Sequence, residues 1–226
     1  MHGEKRTSVG VAEGEMTAFK FAEKLLDLGD FIGVTGEVFV THKGELTVFV
    51  ESFTFLGKAL RPLPEKFHGI ADEELKYRER YLDLITDQSS MDRFKFRSDF
   101  IRALREFYWK EGFREIEGQV LTNAATGAAA KPYITHQNAL DTDVFLRISH
   151  EIPLKLMNIA GMNKIFELGK AFRNEGIDPS HLPEHLHLEH NVNYWTFRDN
   201  IAFTEKMFDY LFGTLGLERK RQILNK

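Results

Sequence analysis

Apolar positions along this chain change period several times, and each change predicts an element. Over residues 16–28, Phe19, Ala22, Leu25 and Leu26 recur at helical spacing until Gly29-Asp30 interrupts them, which predicts a short helix. The run FIGVTGEVFVTHKGELTVFVESFTFLG alternates and breaks at His42-Lys43-Gly44, predicting a β-hairpin with a further strand or extension. Two prolines in LRPLPEKFH favour an extended linker. Helical spacing returns in DEELKYRERYLDLI, breaks over residues 86–90, and resumes in DRFKFRSDFIRALREFYWKEG. Phe100, Leu104, Phe107 and Tyr108 form the stripe expected to be buried there, and Gly112 supplies a left-handed stop. FREIEGQVL reads as a strand, residues 122–131 as a flexible segment of small residues, and PYITHQN and VFLRIS as strands around an ALDTD turn. Ser149 is placed to cap a helix from Glu151 to about Ile159, ended by Gly161. A last helix over residues 200–215 presents Ile201, Met207 or Phe208, Leu211 and Leu215 to a core.

One stretch, KIFELGKAFRNEGIDPSHLPEHLHLEHNVNYW, breaks the pattern of apolar elements. Its first alternation runs to Phe172, a turn cluster fills residues 176–183, and a second alternation resumes at His187, which predicts an antiparallel hairpin with a long tip. Side chains alternate across a strand, so Glu167, Gly169, Ala171 and Arg173 share a face, as do His187, Glu189, Asn191 and Asn193 on the return. A sheet face loaded with an arginine, carboxylates and amides costs stability unless those groups are solvated or meet a ligand. The chemistry is expected here. Arg173 offers a planar, permanently charged fork suited to a phosphate oxygen, flanked by Glu175 and Glu184. Taken alone, FRNE is more simply a surface hairpin with a salt-bridged tip.

Composition narrows the field around that hairpin. At 226 residues the chain fits one large domain, or one domain with a small partner. A net charge of −4 argues against a protein that coats DNA and leaves room for RNA reached by a few placed residues. Without cysteine there is no disulfide, thiolate metal site or cysteine nucleophile. The polar start MHGEKRTSVG and the lack of a membrane-spanning apolar run predict a soluble cytoplasmic protein with no membrane partner. There is no P-loop, dinucleotide fingerprint, G-x-S-x-G elbow or H-E-x-x-H.

The run IFELGKAFRNEGID closely resembles the second signature motif of class II aminoacyl-tRNA synthetases, and FRNEGID resembles their lysine-specific branch. LRPLPEKFHGIADEELKYRERYLDLI resembles the linker between that family's anticodon-binding barrel and its catalytic domain, while GAAAKPYITHQNALDTDVFLRIS and HEIPLK resemble its amino-acid pocket. The resemblance implies an α+β fold: a partial OB-type barrel remnant over residues 1–60, a linker and connecting helix over 61–90, and the first half of an antiparallel catalytic sheet flanked by helices over 91–226. It implies a lysine–tRNA ligase that activates lysine with ATP to lysyl-adenylate and passes the acyl group to tRNA(Lys). Arg173 matches the arginine that holds the α-phosphate. Glu175 matches an acidic residue near the adenine and the tRNA terminus, with His181, Glu184 and His185 around the nucleotide. Glu151 and Glu189 match carboxylates that receive the two ammonium groups of lysine, and Gly127 matches a glycine that lets backbone approach the amino acid. Mg2+ is expected from the family, although its usual carboxylate ligands lie beyond this sequence. A homodimer through the first motif, about residues 94–121, is also implied.

This sequence departs from the family pattern at several points. His185 stands where an aromatic ring stacks on adenine, Asn191 where a pocket tyrosine meets the substrate ammonium, and Gln119 where the first motif ends in proline. The sequence ends at Lys226, before a third motif. Two alternatives follow: a catalytically inactive dimer-forming or ATP- and lysine-binding module, or a lysine ligase acting on a protein. Among His181, His185, His187 and His190, the pair His185 and His187 offers a zinc site with Glu189. The spacing is not that of a closed structural site and no thiolate is available, so these histidines are read as replacing aromatic and polar residues of an ATP pocket, and no metal ligand is assigned. His136 and His150 are expected to be ordinary hydrogen-bonded residues of a strand and a helix start.

Overall fold

The computed structural model describes residues 18–61, 63, 70–176, 178 and 181–218, so the polar start and most of the proline-containing linker lie outside the described residues. The chain divides between Arg93 and Phe94 into two compact units. In the first, helix α1 (Ala18–Leu25) is followed by strands β1 (Phe31–Val40) and β2 (Leu46–Gly57), an antiparallel hairpin turning at residues 41–44. The ring of Phe21 sits 5.9 Å from that of Phe53 and 6.0 Å from that of Phe55, which docks α1 on β2. Alternation predicts this hairpin correctly, and the anticipated further strand is the second half of a 12-residue β2.

The helical pattern of DEELKYRERYLDLI resolves into two pieces, α2 (Glu73–Arg78) and α3 (Arg80–Thr86), because Glu79 leaves helical geometry at φ −110°, ψ 53°. That break lets Arg80 bond the buried Asp83 at 3.1 Å and lie 4.6 Å over the ring of Tyr77. Helix α4 (Gln88–Lys110) starts earlier than its apolar spacing indicates. The polar residues before it are its cap, with the Asp87 carboxylate accepting from the Ser89 N–H at 2.9 Å and the Ser90 hydroxyl at 3.2 Å.

The second unit holds two three-stranded sheets. One is β3 (Arg114–Glu115), β7 (Lys164–Phe172) and β8 (Glu184–Val192), with β3 parallel and β8 antiparallel to β7. The other, wholly antiparallel, is β4 (Leu121–Thr122), β6 (Thr142–Leu146) and β5 (Ile134–Gln137). FREIEGQVL is therefore not one strand: its two ends pair in different sheets, and residues 116–120 bridge them. Gly118 sits at the crossing because a Cβ there would come within 2.9 Å of Glu167 Oε2.

Helix α5 (Glu151–Ile159) follows β6, and α6 (Phe197–Leu215) follows β8. A reciprocal capping box between Thr196 and Asp199 starts α6 three residues earlier than predicted. The core lies between α4, α6 and one face of the β7–β8 hairpin, where Leu104, Phe107, Tyr108, Phe113, Phe166, Leu168, Phe203 and Leu211 are buried. Tyr108 stacks on Phe166 at 4.6 Å, and Phe203 meets both Phe113 and Phe107. Of the predicted stripe, Leu211 is buried and Met207 and Leu215 pack against the core, whereas Ile201 stays half-exposed and Phe203, drawn in by these aromatic partners, takes its place.

Candidate functional site

Register divides the β7–β8 hairpin into two chemically distinct faces. Phe166 opposite His190 and Leu168 opposite Leu188 point into the core, so Ile165 opposite Asn191, Glu167 opposite Glu189, Gly169 opposite His187 and Ala171 opposite His185 point the other way. This second face is the charged one that the alternation predicts. Two carboxylates directly across a strand pair repel one another, so each must find a separate partner.

Those partners lie in residues 147–151, where β6 runs into α5. Arg147 forms an ion pair with Glu167 in which both side chains are buried, and it also donates to Lys170 O at 2.7 Å and Gly118 O at 3.2 Å. Arg173 Nε lies 3.4 Å from Ile148 O. The Ser149 hydroxyl donates to Thr126 O at 3.1 Å. The His150 backbone N–H donates to Glu189 Oε1 at 3.0 Å. Glu151, first residue of α5, carries an ion pair to Lys155 at 2.5 Å. Successive residues of one short stretch thus hold β7, the hairpin tip, the segment around residue 126, and β8.

The start of α5 departs from prediction. Ser149 does approach the Glu151 N–H, at a long 3.4 Å, but the N-cap residue is His150, without a side-chain cap of its own. Nor is His150 an ordinary hydrogen-bonded histidine. Its ring is wholly enclosed, with Nδ1 3.3 Å from Glu167 Oε1, and neither ring nitrogen completes a hydrogen bond among the described residues. His136 does behave as expected, bonding Asp143 at 3.0 Å. Burial alone would raise the Glu167 carboxyl, but His150, Arg147 and the Gly118 backbone outweigh it and hold the carboxyl below its ordinary range.

Two glycines make room for this arrangement. At Gly169, a Cβ would strike Arg147 Nη2 and lie 3.1 Å from His150 Cε1. Gly127 has φ +87°, and a Cβ there would collide with Ser149 Oγ and come 2.9 Å from the Glu151 Cβ. The structure therefore brings Gly127 and Glu151 together, and joins Glu189 to the same helix start.

The remaining candidates spread toward the tip. The Arg173 N–H bonds Pro183 O at 2.9 Å, closing the loop, and the Asn174 N–H bonds Lys131 O at 2.7 Å, tying in the small-residue segment. Glu175 is exposed just beyond. His181 bonds Asp178 at the tip. Glu184 pairs with Lys170 at 3.1 Å and, by register, points away from the Glu189 face. Asn191 is half-buried on the Glu189 face.

The four clustered histidines separate. His190 belongs to the core face, its Nδ1 meeting the Tyr108 hydroxyl at 2.8 Å and its Nε2 meeting Asn200 Oδ1 at 2.6 Å. Nε2–H donates to that amide oxygen, and in the neutral imidazole that burial favours Nδ1 accepts from the tyrosine hydroxyl. Burial lowers its pKa against the Asn200 bond, and burial raises that of Tyr108. His185 and His187 are neighbours on the other face, ring centres 5.6 Å apart. Burial lowers the His187 pKa, Glu189 opposes the shift, and His150, His185 and Arg173 add to it. Among the described residues, no group of three or more histidines and carboxylates is arranged to hold a metal ion. No helix among them is long and apolar enough to cross a membrane.

Arg147 was not among the candidates from sequence, and Glu167 was named only as a member of the charged face. Their signal is an arginine inside the apolar run VFLRIS and a glutamate inside IFELG, two charges in segments that pattern as buried.

A family model described as tRNA synthetases class II (D, K and N) matches residues 72–225. The lysine–tRNA ligase of Lactiplantibacillus plantarum is 51% identical over 185 residues, covering 82% of this chain and 37% of that protein. Those of Lactococcus lactis and Enterococcus faecalis are 48% and 50% identical, covering 85% and 80% of this chain and 39% and 36% of theirs. The chain thus spans under two fifths of the length of the curated relatives it matches.

Proposed function

This chain belongs to the class II tRNA synthetases of the D, K and N group, and we propose that it carries the lysine- and ATP-recognising face of a lysine–tRNA ligase working in the cytoplasm. The observation that supports this most is the convergence on residues 147–151 of Arg173, Glu189, Glu151 and Gly127. In this reading Glu151 and Glu189 receive the ammonium groups of lysine, with Asn191 beside them. Glu151 then exchanges its Lys155 partner for the ligand. Gly127, without a side chain, lets backbone close over the amino acid.

Arg173 takes the α-phosphate of ATP. The lysine carboxylate attacks that phosphorus, pyrophosphate leaves, and the guanidinium stabilises the charge that develops without any proton transfer. Glu175, His181 and His185 surround the nucleotide base and the end of tRNA(Lys), with the imidazole of His185 stacking where a larger ring would otherwise lie; Glu184, expected beside them, points to the opposite face and pairs with Lys170. Among the described residues no group of three or more histidines and carboxylates could hold Mg2+. The α1, β1 and β2 segment is read as the remnant of an OB-type barrel. A second copy pairs through residues 94–121, where Phe94, Phe96 and Trp109 are exposed.

Lysine-dependent exchange of pyrophosphate into ATP tests the reading. Arg173→Ala should lower it by roughly 100-fold or more. Exchange that is unchanged in this variant removes Arg173 from the phosphate.

A further inference from the structure

Glu189 has a close companion on its own strand. His187 Nδ1 lies 3.3 Å from Glu189 Oε1, the same oxygen that accepts the His150 N–H. That Nδ1 is buried and completes no hydrogen bond among the described residues. Directly across the hairpin stands Gly169, so β7 offers no side chain there, and the space is filled by the Arg147 guanidinium and the His150 ring. The enclosed ring of His150 is centred 5.5 Å from that of His187, and His185 flanks it on β8. The remaining charges acting there are Glu167, already committed to Arg147, and Arg173, whose field opposes a cation at His187.

We infer that a proton on the His187 imidazole competes with the ligand's ammonium for the Glu189 carboxylate. The inference rests on the reading of Glu189 as a lysine contact. A neutral imidazole leaves Glu189 a full negative charge, oriented through one oxygen by the start of α5. An imidazolium at 3.3 Å neutralises it, and an arriving ammonium would then add a second cation to a half-buried face that already feels Arg173. Burial and the Arg173 guanidinium hold the His187 pKa below its ordinary value, so the face is receptive near pH 7. As pH falls through the imidazole's pKa, lysine affinity should fall, approaching about tenfold per pH unit where the two cations exclude one another. By reciprocity, bound lysine should push the His187 titration to lower pH.

Two measurements on the chain as it stands test this. Calorimetric titration with lysine between about pH 5 and 8 should show affinity declining on the acid side in the wild type and a flatter profile in His187→Gln. NMR of the imidazole C–H protons should show His187 titrating at lower pH when lysine is added. A His187→Gln profile that keeps the wild-type slope, or a His187 titration indifferent to lysine, overturns the inference while leaving Glu189 as a lysine contact. Failure of the wild type to bind lysine at any pH removes the contact itself, and the inference with it.

Discussion

Glu167 and Glu189 face one another across β7 and β8, yet their carboxylates are drawn in different directions: one into a buried ion pair with Arg147, the other to the backbone N–H of His150. The repulsion expected between facing carboxylates is thereby resolved, and the outcome is asymmetric. Glu167 is enclosed and compensated, whereas Glu189 is only partly covered and has no arginine or lysine partner among the described residues.

That asymmetry predicts a selective loss. Glu189→Gln removes the charge while retaining an oxygen for the His150 N–H, so lysine affinity should drop by about 10- to 100-fold, the worth of one charged hydrogen bond. ATP affinity should barely change. Calorimetry with each ligand separates the cases, because equal losses for both would mean a general folding defect.

The buried pair should behave differently from a surface ion pair. Arg147→Met strands the Glu167 carboxylate and should cost about 3–5 kcal/mol in urea unfolding. Adding Glu167→Leu should recover much of that loss. A single-variant cost under about 1 kcal/mol would show that the pair is solvated after all. Acid supplies a second readout. The folded Glu167 pKa lies below its ordinary value of 4.5, so its stabilisation is complete above that value and is lost as pH falls through the folded pKa. Glu167→Gln should flatten that part of the acid limb.

His190 should contribute at milder pH. Its folded pKa is lowered from 6.5, so the unfolded chain binds a proton first as pH falls, and stability is lost from that value downward until the folded imidazole also titrates. His190→Gln should reduce the drop in Tm over this range. Tyr108→Phe, which leaves His190 Nδ1 without its donor, should cost about 0.5–1.5 kcal/mol at neutral pH. A Tyr108→Phe protein as stable as wild type would remove that bond.

Two glycines offer a paired control. Gly169→Ala drives a methyl group into Arg147 and His150 and should cost about 1–3 kcal/mol in thermal unfolding. Gly213→Ala, within α6 and facing open space, should be neutral or stabilising by up to about 1 kcal/mol. Equal effects at the two positions would contradict the packing described around Gly169.

The hairpin, its register face and the position of Glu189 on that face were legible because strand periodicity is local: every second residue shares a side. What escaped the sequence depends on distant partners. FREIEGQVL alternates like one strand, yet Gly118 must turn beneath Glu167, and nothing within the segment announces that neighbour. Ser149 looks like a helix cap and lies one residue too early, because the carboxylate that secures this helix start comes from β8. Ile201 and Phe203 are both apolar in α6, and only the rings of Phe107 and Phe113 decide which is buried. The family resemblance named the proposed ligand contacts residue by residue; it was silent on Arg147, whose role shows only when β7 and the segment around Gly118 are seen together.

The cap on α5 also carries a message about order of assembly. A nine-residue helix is marginal alone, and this one lacks a side-chain cap of its own. The carboxylate that fixes its first turn lies 39 residues further along the chain, on a different element. Its N-terminal turn, and with it the placement of Glu151, becomes fixed only once β8 has folded back against β7. The two carboxylates proposed to receive lysine are thus set in place together by the closing of the hairpin.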